Sequence, residues 1–238
     1  MHLTPKQTQA DGTQQARYEL FNAFALKNAK KEIKNLIDEC VNNKIITKAE
    51  YDAINPENKN LDRFYSDFKV HKEYVHKKAP KPRAIVSGSG SITENAILFV
   101  QHHIEESSHS HQSYLQDTPD FLREIEKINA GPKLPDNSLL VSMDVIGLYD
   151  NIPNYEGIES LGEALEERKD PKVPTWFIQR MMEVVLKLNL FKFHDATYLQ
   201  KVGVAMAIHP APNYADTIMA RRVDNQILEI IERFLKSI

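Results

Sequence analysis

The stretch from Ser138 to Pro153 constrains this chain more than any other. Leu139, Leu140, Val141, Met143 and Val145 form a nearly continuous apolar run, the pattern of a β-strand covered on both faces. Asp144 sits inside that run, where a carboxylate buried without a partner is expensive. Two readings offset the cost. In one, the strand end opens on a cleft and Asp144 meets a metal ion. In the other, Asp144 caps the turn that Gly147 and Pro153 impose. Tyr149 follows the aspartate by five positions.

Composition narrows the options around that strand. A chain of 238 residues with 42% apolar and 26% charged side chains can build a real core in one large domain or two small subdomains. Its net charge of −3 argues against a surface that is basic throughout, so any nucleic-acid contact has to come from a local patch. Cys40 is the only cysteine, which excludes a disulfide framework or a cysteine-rich zinc site within one chain and fits a reducing compartment. No apolar run approaches the ~20 residues of a membrane span, and Met1–Gln15 lacks a signal-peptide core. The expectation is an intracellular protein, nuclear or cytoplasmic, with a disordered leader over residues 1–15.

The periodicity predicts helices over residues 16–43, from Thr47 to about Asn55, from Thr93 to about Ser107, over 155–168, over 174–190 and over 212–235. Another helix starts at Asp117–Leu122, with Thr118 as its N-cap and Pro119 at the first helical position. Thr47 to Glu50 has the capping-box pattern. Aromatic and β-branched residues around His194-Asp195 predict a hairpin over 191–200. His102, His103, His109 and His111 invite a zinc site, but neighbouring helical residues point about 100° apart. No acidic or cysteine partner stands at ligand spacing, so these histidines read as structural or solvent-facing.

From Lys69 to Arg83 the chain carries five lysines and one arginine against a single glutamate, Glu73, its strongest local charge bias. Two short strands joined by this basic loop would make a finger over anionic phosphates, although a solvated lysine-rich loop has the same composition.

Three blocks together resemble a known family. Asp144-Val-Ile-Gly-Leu-Tyr-Asp-Asn-Ile-Pro153 is similar to motif A of reverse transcriptases, above all the Leu-Asp-Val-x-Ser-Leu-Tyr-Thr-Asn-Ile-Pro of Penelope-like retroelements. Phe64-Tyr-Ser-Asp-Phe-Lys-Val-His-Lys72 with Arg83-Ala-Ile-Val-Ser-Gly88 resembles the family's Phe-Tyr-x-Leu-Pro-Lys-x-His-Lys and Arg-Pro-Ile-Val-Ser-Gly. Gly203-Val-Ala-Met-Ala-Ile-His-Pro-Ala-Pro-Asn-Tyr-Ala-Asp216 resembles motif B, with Ala207 in place of its second glycine and Asp216 in place of asparagine.

The resemblance implies an α+β fold, helix-rich with a small antiparallel sheet. An N-terminal helical region and fingers would occupy residues 16–135, and a partial palm residues 136–238. It implies RNA-directed DNA polymerase chemistry in the intact family, with an RNA template, a DNA primer and dNTP as partners and Mg²⁺ (or Mn²⁺) as cofactor. Asp144 and the backbone carbonyl of Val145 would hold metal. Tyr149 would lie under the nucleotide's sugar, Lys69 and Arg83 would neutralise phosphates, and Gly203 would let the backbone pass close to the nucleotide. Arg83 is the stronger phosphate candidate, because a planar guanidinium binds bidentately. The family's motif C, with its paired aspartates, has no counterpart here: no Asp-Asp pair occurs in the 238 residues. Two-metal transfer needs several carboxylates, so the expectation is a fragment inactive by itself, with unpaired palm strand edges that favour association. The alternative is a non-catalytic nucleic-acid-binding or protein-interaction module.

Overall fold

The computed structural model describes residues 6–8, 14–21, 25–56, 60–68, 82–111, 113–139, 142, 144–169, 171–223 and 229. In chain order these hold β1 (Lys6–Thr8), β2 (Gln14–Ala16), β3 (Tyr18–Phe21), α1 (Ala25–Asn42), α2 (Lys48–Ile54), β4 (Asp62–Phe68), β5 (Pro82–Ser87), α3 (Glu94–His109), α4 (Thr118–Ala130), α5 (Leu148–Asn151), α6 (Asn154–Glu166), α7 (Thr175–Lys187), β6 (Leu190–Phe193), β7 (Ala196–Gln200) and α8 (Ala211–Ile218), which runs directly into a π-helical turn, Met219–Val223. Among the described residues the chain is thus mixed α/β and helix-rich, with a five-stranded sheet in the order β3-β7-β6-β4-β5 and a separate two-stranded ladder, β1-β2.

Aromatic side chains explain how strands from three parts of the sequence meet. Phe191 is fully buried at the centre of the sheet's inner face. Tyr18 packs edge-on against it at 5.5 Å, and Phe64 and Tyr198 stack on it at 5.3 and 5.7 Å. Such pairs add stabilisation beyond the area they bury. This face lies on a helical layer in which Val100 and Ile104 of α3, Leu161 and Leu165 of α6, Phe177, Ile178 and Met181 of α7 and Tyr214 of α8 share one core. All the sheet pairings are antiparallel except that of β4 with β6.

Several expectations change. Residues 16–43 are not one helix: Tyr18–Phe21 is a strand laddered on β7 over four residue pairs, and the helix begins at Ala25. Tyr18 gains both the ladder and its contact with Phe191 there, which outweigh helical propensity. The segment expected to be a disordered leader holds β1 and most of β2, paired with each other. Asp117, not Thr118, caps α4, accepting from the Asp120 amide at 2.8 Å. The helix expected over 212–235 changes to π geometry at Met219, and Ile227, Leu228, Ile231 and Leu235 lie outside the described residues.

The largest correction concerns the stretch around Asp144. Its described residues, Ser138, Leu139, Ser142, Asp144 and Val145, belong to no strand. Leu139 and Val145 are 59% and 40% exposed. A strand needs a neighbour to satisfy its backbone, and all five strands of the described sheet are drawn from other segments. The two described apolar residues of the run, Leu139 and Val145, therefore lack the covering layers its composition calls for, and Leu140, Val141 and Met143 lie outside the described residues.

Other readings hold locally. Thr47 and Glu50 form the reciprocal capping box. The two short strands expected around the basic loop are β4 and β5, which place Arg83 opposite Asp67. The hairpin turns at His194-Asp195, with His194 at φ 52°. His103 is half-buried with its ring on Phe99 at 4.5 Å, and burial pushes its pKa down to about 4. A buried carboxyl, Asp62, opens β4: it is only 3% exposed and hydrogen-bonded to Ser91.

Candidate functional site

Two segments far apart in sequence make one joint. The first is the turn after Asp144. Gly147 adopts φ 64° and ψ 42°, the left-handed region that a side chain disfavours. It starts the single helical turn α5, closed by the Asp150 amide on the Gly147 carbonyl at 3.1 Å. Asn151 Nδ2 donates to the carbonyls of Ile146 and Gly147, both at 3.0 Å.

The second segment follows β7. Gly203 has φ 78°, and a Cβ built on it would collide with the Tyr149 carbonyl and lie 2.9 Å from Asp150 Cα. The Val204 amide donates to that same Tyr149 carbonyl at 2.9 Å. Asn154, at the start of α6, completes the joint: its Oδ1 accepts from the Gly203 amide at 3.1 Å, and its Nδ2 donates to the Lys201 carbonyl at 3.3 Å. Gly203 therefore serves a backbone-to-backbone contact within the chain.

Side chains around the joint are largely committed. Arg17, just before β3, pairs with Asp150 at 3.1 Å and donates to Asn151 Oδ1 at 2.9 Å. Tyr149 is half-buried, and burial, helped by the Asp216 carboxylate, raises its hydroxyl pKa. Burial likewise raises the Asp216 carboxyl, against the opposing pull of His109 and His111. Asp216 also helps line a polar hollow of about 240 Å³ with Ser108, His111, Ser113 and Tyr114. Farther along, Arg222 of the π-turn reaches Ser160, Glu159 and Glu163 of α6 at 3.0, 2.8 and 2.9 Å and fixes the end of α8 to that helix.

The sequence-derived site residues divide accordingly. Tyr149 and Gly203 come together through the backbone, with Asp216 in electrostatic reach. Asp144 and Val145 are exposed in irregular backbone just before the turn, and Asp144 has no ion pair or hydrogen bond among the described residues. Arg83 is exposed on β5, joined to the Tyr149–Gly203 region by no hydrogen bond or ion pair. Lys69 lies outside the described residues. Arg17 and Asn154 were not legible as site residues. The sequence signal for Asn154 is its place after Pro153, at the first position of a helix.

The described residues assemble no cage for a divalent metal. Among the described residues no group of three or more His, Cys, Asp or Glu side chains is arranged to hold a metal ion. Asp150, the carboxylate nearest to Asp144 in sequence, is neutralised by Arg17. One exposed carboxylate does not make a two-metal cage.

Comparison of the chain with protein-family models, with curated proteins and with solved structures returns no match. No described helix is long and apolar enough to cross a membrane.

Proposed function

We propose that this chain forms the fingers and partial palm of a reverse-transcriptase-like domain of the Penelope-like retroelement type. In this reading it grips primer–template nucleic acid and does not by itself transfer nucleotides. The observation that carries it is the joint between the two motif-like segments: Gly203 of one is held on the Tyr149 peptide of the other, with Asn154 and Gly203 bonded across 49 residues. The β4–β5 pair puts Arg83 on an exposed edge strand, and the sequence that joins the two strands is lysine-rich, a composition that suits a phosphate backbone. The intact family's partners are an RNA template, a DNA primer and dNTP, and its cofactor is Mg²⁺ or Mn²⁺. This reading routes no step through a metal on the described residues.

The test is fluorescence anisotropy with a labelled RNA template–DNA primer, run beside primer extension in Mg²⁺ and then Mn²⁺. Binding should weaken steeply with salt, and Arg83→Ala should reduce both the affinity and the salt slope. Extension should be absent. Extension that vanishes on Asp144→Ala would overturn the non-catalytic part of the reading, and absence of binding at low salt would overturn the whole of it.

A further inference from the structure

We propose that the notch where β4 and β6 part is a binding site for a phosphate-bearing ligand, held by Arg63, Lys192 and His194. The two strands run parallel for only two residue pairs, Asp62 with Phe191 and Arg63 with Lys192. Beyond these pairs the ladder stops. A hollow of about 660 Å³ opens there, with Arg63, Phe64, Lys192 and His194 on its walls.

Arg63 and Lys192 are direct neighbours across the junction, so their stems start about 4.8 Å apart on the same face. Both are exposed, and two like charges at that spacing repel. Among the described residues the ion pairs all run elsewhere, and neither cation has a hydrogen-bond partner. Among the described residues the one carboxyl that borders the hollow, Asp62, is buried and bonded to Ser91. Among the described residues the two cations therefore stand side by side with no counter-charge, an arrangement that a bound anion relieves.

His194 supplies an independent observation. It occupies the tip of the β6–β7 hairpin at φ 52°, a conformation that turns of this kind usually give to glycine or asparagine. Its ring packs edge-on against Phe193 at 4.3 Å, on the rim of the hollow. Histidine enters this left-handed region more readily than most side chains, and here it places an imidazole beside the two cations. A guanidinium fork, an ammonium and an imidazole together suit the several oxygens of a phosphate.

The site is separate from the Arg83 surface. Arg63 faces Ser87 on the β4–β5 ladder and Arg83 faces Asp67, about 13 Å farther along the strands.

The phosphate could belong to a nucleic-acid backbone or to a free phosphoanion, and two probes distinguish them. Pyrophosphate binding is followed by isothermal titration calorimetry, and binding of a labelled 20-nucleotide single-stranded RNA by anisotropy. Both are measured for the full chain, for Arg63→Ala with Lys192→Ala, and for His194→Gly, with a thermal melt of each variant. The double variant should melt no lower than the parent and bind at least one probe about tenfold more weakly. His194→Gly, which relaxes the turn, should fold at least as well and weaken the same probe about threefold. Loss of pyrophosphate alone identifies a free phosphoanion, and loss of RNA binding identifies the backbone. The proposal is overturned if the parent binds neither probe, or if the double variant binds both as the parent does.

Discussion

Raising the pH through neutrality should loosen this fold through one side chain, Asp62. The carboxyl is 3% exposed, and burial pushes its pKa from 3.8 up to about 7 against the opposing hydrogen bond from Ser91. Below pH 4 both folded and unfolded chains carry the proton. Between pH 4 and 7 the unfolded chain releases it and the folded chain does not, so stability falls as pH rises, levelling off above 7. The displacement corresponds to about 4 kcal/mol in full, of which about 3 kcal/mol is lost between pH 5 and 8.

The assay is urea unfolding at pH 5, 6, 7 and 8 for the parent and for Asp62→Asn, whose amide stays neutral throughout while keeping a partner for Ser91. The variant subtracts every other titration. The gap between the two proteins should change by about 3 kcal/mol in favour of the variant as pH rises, or about 1 M in urea midpoint. Parallel pH profiles for the two proteins would refute the reasoning, because they would mean that Asp62 ionises in the folded chain as it does in the unfolded one.

Other substitutions test the joint and the packing by equilibrium unfolding. Gly203→Ala should cost at least about 2 kcal/mol, because a left-handed φ and a collision with the Tyr149 carbonyl act together, and no smaller side chain than alanine exists to relieve it. Tyr214→Phe should be neutral or stabilise by about 1 kcal/mol: its hydroxyl is buried beside Gly157 with no hydrogen-bond partner among the described residues, so its removal discards an unmet desolvation cost. Thr47→Ala removes one half of the capping box on α2 and should cost about 1 kcal/mol, read as a lower melting temperature.

Local rules made part of this fold legible in advance. The capping box at Thr47, the apolar stripes of α6 and α7 and the turn at His194-Asp195 follow from short-range chemistry, and each lies where pattern placed it. Tyr18 shows where such reasoning fails, since its strand exists only because β7 lies alongside and Phe191 is there to pack on. The described residues around Asp144 fail in the opposite direction: composition suits a covered strand, but Leu139, Asp144 and Val145 join none, because strand formation needs a neighbour that no local pattern supplies. At the candidate site, Tyr149 and Gly203 were readable as a pair of special positions. Their direct backbone contact was not, and neither were the ties made by Arg17 and Asn154, because each depends on which distant segments the sheet brings together.

The pairing of Tyr18 with Gln200 has a consequence for the order in which the molecule assembles. A strand near the start of the chain waits for its sheet partner from near the other end, and closing so large a loop is opposed by chain entropy before any ladder bond rewards it. On a ribosome adding about 5–20 residues per second, β3 stays unpaired for about 10–40 s after it is made. The helices α3, α6 and α7 have been made by then and α8 has not, so β3 can join the sheet only after most of the helical layer has been synthesised. Arg17 lies just before β3, so the same late event that seats β3 on β7 also fastens the turn bearing Tyr149 through Asp150.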